Sequence, residues 1–274
     1  MCLAAIAISQ HPRWPWVVAA NRDEFFSRAA TPLAWWQPAT GEPAVLSGRD
    51  LAAGGTWLGI NRRGRFAMVT NVREPQRAPL VGSPSRGELV TRWLRQTQPD
   101  AALLRDALHT ARNGFNLLVG ELGGESGLWC NNRLQQQRPL GPGLVGLSNA
   151  ALDTDWPKLR LLKQRLHLAV NGATDTTHVV DLAFAALADP TPAADADLPD
   201  TGVGLARERV LSPAFISITS TDGGNQAHYG TRCSTVVIVE QVGQMRVVRM
   251  VERRFGPDGA ISGETWLALD LARG

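Results

Sequence analysis

Residues 1–25 read MCLAAIAISQHPRWPWVVAANRDEF. Two apolar runs, Leu3–Ser9 and Trp16–Ala20, flank a segment containing His11-Pro12-Arg13, the pattern of two antiparallel strands joined by a turn. Cys2 opens the first strand, and Asn21-Arg22-Asp23-Glu24 follows the second. In such a hairpin the end of the second strand lies beside the start of the first, so Arg22 and Asp23 are expected within a few residues' spacing of Cys2. Cys2 then has two readings. It is a small buried strand residue, or, once Met1 is removed, a nucleophile whose own amine is its base. The polar quartet is likewise either a solvated turn with an Asp cap or a charged pair beside a thiol.

Composition narrows the classes. The chain has 274 residues, 44% hydrophobic and 19% charged, which suits one folded domain over 1–274 with an ample core. A stretch rich in Pro, Ala and Asp, 189–202, reads as a surface loop. The net charge is +3, and with only Lys158 and Lys163 the positive charge is almost all Arg, interspersed with acids. No basic block points to nucleic acid. Cys2, Cys130 and Cys233 are too few and too scattered for a disulfide framework or a zinc site, and their odd number fits a reducing compartment. The run Leu3–Ile8 has no basic region before it and is too short for a membrane span, so the expected location is cytoplasmic. The five histidines have no ligand spacing, and neither a metal nor a cofactor is expected.

Further elements follow the same logic. A second hairpin is expected over Thr56–Asn61 and Phe66–Asn71, then helices over Arg86–Gln98 and Ala101–Arg112, broken at Pro99-Asp100 with Asp100 as cap. Strands follow at Phe115–Glu121, Gly127–Asn131 and Gly143–Leu147. Helices at Asp155–Leu168, capped by Asp155, and Thr177–Leu187 come next, then strands at Ala214–Thr219, Ser234–Glu240 and Arg246–Val251. Paired strands alternating with blocks of helices imply an α+β domain, two sheets face to face with helices outside. Polar residues recur at strand ends: Asn71 and Arg73, Asn149, and Arg232. Each has a plain structural alternative as a turn residue, a helix cap or a brace at a strand mouth.

Cys2 together with AANRDEFFSR, SGRDLAAGGTWLGINRRGRFAMVTNVRE, SRGELV, GFNLLVGEL, GLSNAALDTDWPK and YGTRCSTVVIVE resembles the NRDE family, that of the eukaryotic transport and Golgi organisation protein 2. The resemblance runs in order from Cys2 to about Arg254. It implies an N-terminal-nucleophile-like fold, a four-layer αββα sandwich of two stacked antiparallel sheets, similar to the choloylglycine hydrolase and penicillin V acylase group. The matching site positions are Cys2, Arg22, Asp23, Asn71, Asn149 and Arg232. In the implied chemistry the freed amine takes the thiol proton, Arg22 favours thiolate and Asp23 holds the ammonium. Asn71 and a backbone N–H receive the oxyanion, and Asn149 orients the amine or donates a second hydrogen bond. Asn21, Trp57 and Arg73 are expected to contact substrate, with Trp35-Trp36 as a further apolar wall. The expectation is a cysteine hydrolase of an amide or thioester bond in a small apolar or acyl-type ligand. The alternative is a non-catalytic scaffold that binds and transfers haem, lipid or acyl-CoA, because the family's biology is described as haem mobilisation, lipid metabolism and Golgi organisation.

Overall fold

A computed structural model describes residues 2–96, 101–124, 126–222 and 225–271. The chain begins with β1 (Cys2–Ile8), β2 (Trp16–Phe25), β3 (Ala30–Trp36), β4 (Val45–Asp50), β5 (Leu58–Asn61) and β6 (Arg65–Asn71). Helices α1 (Arg86–Arg95) and α2 (Ala101–His109) follow, then β7 (Phe115–Glu121), β8 (Gly127–Asn131), β9 (Gln136–Leu140) and β10 (Gly143–Leu147). The last third holds α3 (Pro157–Gly172), α4 (Thr176–Leu187), α5 (Leu205–Leu211), β11 (Ser217–Asp222), β12 (Asn225–Val242), β13 (Met245–Phe255) and β14 (Ile261–Leu271).

Every pairing among these strands is antiparallel. One sheet runs β10-β1-β2-β12-β13-β14, with β11 on β12, and the other runs β3 to β9 in sequence order. The two stack face to face. Along β1, Ala4, Ile6 and Ile8 enter the core between the sheets with Phe66, Met68 and Leu118. The alternate residues Leu3, Ala5 and Ala7 pack under α3 and α4 against Leu159, Leu162 and Phe184. On the far side, Leu89, Leu94 and Leu104 of α1 and α2 cover Ala67, Leu117 and Val119 of the second sheet. The result is the expected α+β sandwich, helices–sheet–sheet–helices. Because β1 is covered on both faces, its sequence is a continuous apolar run rather than an alternating one.

The expected hairpins and helices form, with instructive differences. The second strand does not stop at Ala20 but continues through Asn21-Arg22-Asp23-Glu24 to Phe25. Tertiary pairing overrides the polar composition, because β12 supplies a second partner, with Asn21 opposite Ser234 and Arg22 opposite Cys233. A bulge between Thr231 and Cys233 leaves Arg232 out of the ladder. Strands β3, β4, β9 and β14 were not expected. Gln136–Pro139 of β9 is exposed at a sheet edge, and β14 alternates with exposed residues, so neither carries a strong apolar signal. Asp155 does not cap α3. Trp156 holds the N-cap position without a side-chain bond, Pro157 starts the helix, and Asp155 pairs instead with Arg160 at 2.9 Å. The Pro99-Asp100 break lies outside the described residues. Residues 189–202 are exposed or half-buried around a 3-10 turn at Asp195–Asp197. Among the described residues no helix is long and apolar enough to cross a membrane.

One contact between layers positions the site. Ser85 caps α1, its Oγ accepting from the Gly87 N–H at 3.2 Å. A Cβ on Gly87 would sit 2.8 Å from the Thr56 carbonyl oxygen, and one on Gly55 would sit 2.7 Å from the Gly87 carbonyl carbon. Glycine at both positions lets the start of α1 lie directly on the chain entering β5. Gly87→Ala is therefore expected to destabilise by about 1–3 kcal/mol through overpacking. Gly123→Ala, whose Cβ would meet nothing within 4 Å, should be close to neutral; urea midpoints of the two variants check the contrast.

Candidate active site

Register places the site residues. Cys2 is opposite Arg22 on β2, and Arg22 is opposite Cys233 on β12, so the guanidinium-bearing residue lies between two cysteine strands. On the other flank Ala4 pairs with Leu147 of β10. Continuing that register by two residues sets Asn149 alongside Cys2, and the neighbouring Ser148 hydroxyl donates to the Cys2 carbonyl at 3.4 Å. By alternation Cys2 shares its face with Ala4 and Ile6, the inter-sheet side, at the mouth of the sandwich.

A cavity of about 120 Å3 opens there, lined by Cys2, Arg22, Asp23, Trp57, Asn71 and the start of α1. Asn149 reaches this group through Asn71. Its Nδ2 donates to the Asn71 carbonyl at 2.9 Å, and its own carbonyl accepts from the Arg73 N–H at 2.7 Å. These two bonds join the end of β6 in one sheet to the end of β10 in the other. Asn149 Oδ1 is buried and has no hydrogen-bond partner among the described residues.

The charges are tightly held. Arg22 Nη2 donates to Asp50 Oδ2 at 3.2 Å and lies 4.0 Å from Glu24, while Arg28 Nε donates to the same Asp50 oxygen at 2.7 Å. Burial works against the Asp50 carboxylate, but the Arg28 bond, the Ala53 N–H and the two guanidinium charges outweigh it and hold its pKa below the usual value. Asp23 is buried at 1% exposure, and its Oδ1 accepts from Thr231 Oγ1 at 2.8 Å. Burial raises its pKa, with Lys158, the Thr231 bond and Arg22 pulling the other way. Cys2 is 7% exposed, and burial, reinforced by Asp23, raises its thiol pKa above the ordinary value. Arg22 does act in the thiolate direction, but more weakly than burial acts against it. Desolvation is the larger effect, and the guanidinium is committed to Asp50.

Other expected residues sit elsewhere. The Asn21 amide donates to the Leu187 and Ala214 carbonyls at 2.9 Å each and accepts from Ser234 Oγ at 2.6 Å. It points to the helical side and braces the sheet, not the cavity, because adjacent strand residues face opposite ways. Arg73 is bound to Glu208 at 2.7 Å and lies over the Trp156 ring, linking α5 to the sandwich at a separate cavity of about 560 Å3. Arg232 does not enter the Cys2 cavity either. Its Nη1 donates to the Phe25 and Arg28 carbonyls at 2.9 and 2.8 Å. Trp35 and Trp36 wall neither; Arg62 and Arg49 stack on them.

Residues that sequence reasoning gave no role also belong here. Asp50 and Arg28 complete the charge cluster, Thr231 holds Asp23, and Arg86 lines the cavity from α1. Lys158, the second residue of α3, is buried with its Nζ donating to the Leu211 carbonyl at 2.8 Å. Burial, against the favourable charge of Asp23, lowers its pKa to about 8. All of these lie within the quoted NRDE segments, but nothing in their spacing distinguished them from surface charges.

The fold and this site define a class: an αββα sandwich with a cysteine at the head of a central strand, facing a cavity of Arg, Asp and Asn. The sequence model of the family described as Transport and Golgi organisation 2 matches residues 1–257, and the chain belongs to that family. It is 33% identical over 243 residues to the "Transport and Golgi organization protein 2 homolog" of Bos taurus, covering 84% of this chain and 83% of that one. It is 33% identical over 238 residues to the Homo sapiens protein of the same name, with the same coverage. To "Transport and Golgi organization protein 2" of Drosophila melanogaster it is 30% identical over 143 residues, 46% of this chain and 48% of that one.

The Lys158 placement carries a pH signature. Its folded pKa of about 8 lies below the ordinary 10.5. Between these values the unfolded chain holds a proton that the folded lysine has released, so this group's contribution to stability rises with pH across the window. The difference in unfolding free energy between wild type and Lys158→Met should climb from pH 8 to 10.5 by on the order of 3 kcal/mol. A flat difference in pH-resolved denaturation curves refutes it. Subtracting the variant removes the buried thiols, whose raised pKa values act in the opposite direction.

Proposed function

We propose that this protein is a cysteine hydrolase of an amide or thioester bond, active once Met1 is removed. The observation that carries the reading is the convergence of Cys2, Arg22, Asp23 and Asn71 on one cavity from β1, β2 and β6, with Asn149 locked to Asn71. A terminal α-amine has an ordinary pKa of about 8, so it is mostly available as a base at mildly alkaline pH. Burial raises the thiol pKa and so makes such a base useful to the attack. The amine takes the thiol proton as sulfur attacks the carbonyl carbon, and the departing amine or thiol leaves with that proton. Water then hydrolyses the S-acyl intermediate, the same amine acting as base, and the thiol is restored.

Asp23 and the unpartnered Asn149 Oδ1 are the acceptors that hold and orient the ammonium. The Asn71 amide and the start of α1, with the positive end of its dipole, face the developing oxyanion. Arg22, held by Asp50, fixes the cavity's shape and field and draws the thiol pKa down by less than burial raises it. The three cysteines are free and buried, which supports a reducing, cytoplasmic setting. The names of the relatives speak of transport and Golgi organisation and name no reaction.

One observation favours a second reading. A thiol at 7% exposure with a raised pKa is also what a structural cysteine looks like, on a scaffold that carries haem, lipid or acyl-CoA. Intact mass and an acyl-type activity probe separate the two. The hydrolase reading expects a chain lacking Met1, label on Cys2 that is lost in Asp23→Asn and Asn71→Ala, and at least a hundredfold slower turnover in a folded Cys2→Ser variant. A retained Met1 with equal activity in Cys2→Ala, or a Soret band on adding haem that a pocket variant abolishes, favours the carrier.

A further inference from the structure

A second cavity of about 140 Å3 adjoins the first on the far side of Arg22 and shares Arg22, Asp50 and Trp57 with it. Its wall carries Arg22, Arg49, Arg232 and Arg254 against only two carboxylates, Asp50 and Glu252. Asp50 is already bound to Arg28 and Arg22. Glu252 accepts from the Leu33 N–H at 2.9 Å and lies 3.8 Å from Arg254, and burial draws it toward its neutral form. Among the described residues no carboxylate lies within ion-pairing distance of Arg49 or Arg232. Arg49 rests on the Trp36 ring at 4.6 Å and donates to the Gly54 carbonyl at 3.4 Å. Arg232, displaced by the bulge, gives Nη1 to two backbone carbonyls and lies over Phe26 at 4.9 Å. Both guanidinium groups are thus aimed by aromatic rings and backbone rather than by a close ion pair; Glu24 and Asp50 act on Arg232 only at longer range, and Asp50 is shared with Arg28 and Arg22.

Two guanidinium groups with no carboxylate in ion-pairing distance among the described residues, on a partly desolvated wall, suit an anion. We propose that the second cavity receives an anionic group of the substrate, a carboxylate or a phosphate, while the scissile carbonyl lies at Cys2. The inference rests on the cysteine-hydrolase reading for the position of the carbonyl. The anion subsite stands on the arginines alone. It changes the substrate class from a purely apolar acyl compound to one that carries a negative charge close to the bond broken. It also gives Arg232 a task that its distance from the Cys2 cavity otherwise leaves open.

The test uses thioesters of a small neutral thiol with straight-chain acyl groups of two to six carbons, ending in methyl, carboxylate or phosphate. Attack by Cys2 forms the new S–C bond, breaks the thioester C–S bond, and releases the small thiol with the proton that Cys2 lost. The expected result is Cys2 labelling, followed by intact mass, about tenfold or more faster for a charged probe than for the methyl-ended one of equal length. That ratio should fall toward one in Arg49→Gln and Arg232→Gln and with added salt. Whether carboxylate or phosphate is preferred identifies the anion. Equal rates for all three endings at every length, or a preference that survives in both variants, overturns the proposal. Arg49 sits half-buried at a strand end, so its variant is expected to fold even if loss of the Arg232 brace loosens the neighbouring turn.

A second arm needs no turnover. The free dicarboxylates and alkyl phosphates are titrated calorimetrically into Cys2→Ala protein and its Arg49→Gln derivative. Binding that weakens on removal of Arg49, with no probe ever labelling Cys2, leaves the anion subsite standing and removes the hydrolase. Absence of binding in this arm, together with no charge preference in the first, removes the subsite.

Discussion

Burying Asn21, Arg22 and Asp23 in the middle of a sheet is the constraint around which this protein is organised. Each costs free energy unless its polar atoms find partners, and a buried charge costs most. The molecule meets the cost residue by residue. Asn21 is satisfied by two carbonyls and Ser234, Asp23 by Thr231 with Lys158 nearby in the electrostatic sense, and Arg22 by Asp50. Those partners come from β12, α3 and β4, and the backbone acceptors from the end of α4 and the segment that follows α5. One polar run in one strand therefore dictates where much of the remaining chain must be. Removing a partner weakens the hold on a buried group whose neighbours are buried too, which couples the members of the cluster.

The same strand explains why a site exists at all. β2 is paired on both edges, so Cys2 and Cys233 flank Arg22 from opposite sides, and each thiol borders one of two adjoining cavities. The cavities stay open because the sheets are held apart at this end by specific contacts rather than by packed apolar side chains. Asn149 and Asn71 bridge the sheets, and the Gly55–Gly87 contact sets the start of α1 against the opening. Further along, Ala4, Ile6 and Ile8 close the interior completely. Polar closure at the mouth and apolar closure behind it is what lets a desolvated thiol face an accessible charged wall.

Several residues were legible before any coordinates. Cys2, Arg22 and Asp23 lie at facing ends of one hairpin, so their proximity could be reasoned locally, whereas Asn71 and Asn149 entered the site only through the family resemblance. Asn21 and Arg73, expected at the substrate, are held elsewhere. Asn21 lies one pair further into the sheet, opposite Leu3, with its amide taken up by Leu187, Ala214 and Ser234, and Arg73 lies beyond the end of β6, where Glu208 captures it. Lys158 and Asp50 were illegible for another reason. A charged residue in a first helical turn or at a strand end is ordinarily solvated, and only distant segments packing over it make it a buried partner.

The sequence by itself determined the strongly apolar strands and the main helices, the class of two sheets face to face with helices outside, and the position of a cysteine beside an Arg-Asp pair, because hydrophobic runs and short connections are local signals; β3, β4, β9, β14 and α5 lie outside that reach. The tertiary structure alone decided that β2 runs through its polar quartet and that Arg232 bulges from the ladder. It alone decided that burial outweighs Arg22 at the thiol, and that three further guanidinium groups, Arg49, Arg232 and Arg254, share one cavity wall with Arg22. Those outcomes depend on β12, which is more than two hundred residues from Cys2 in the chain and touches Arg22 directly. Desolvation and long-range pairing are properties of the packed molecule, and no window of sequence contains them.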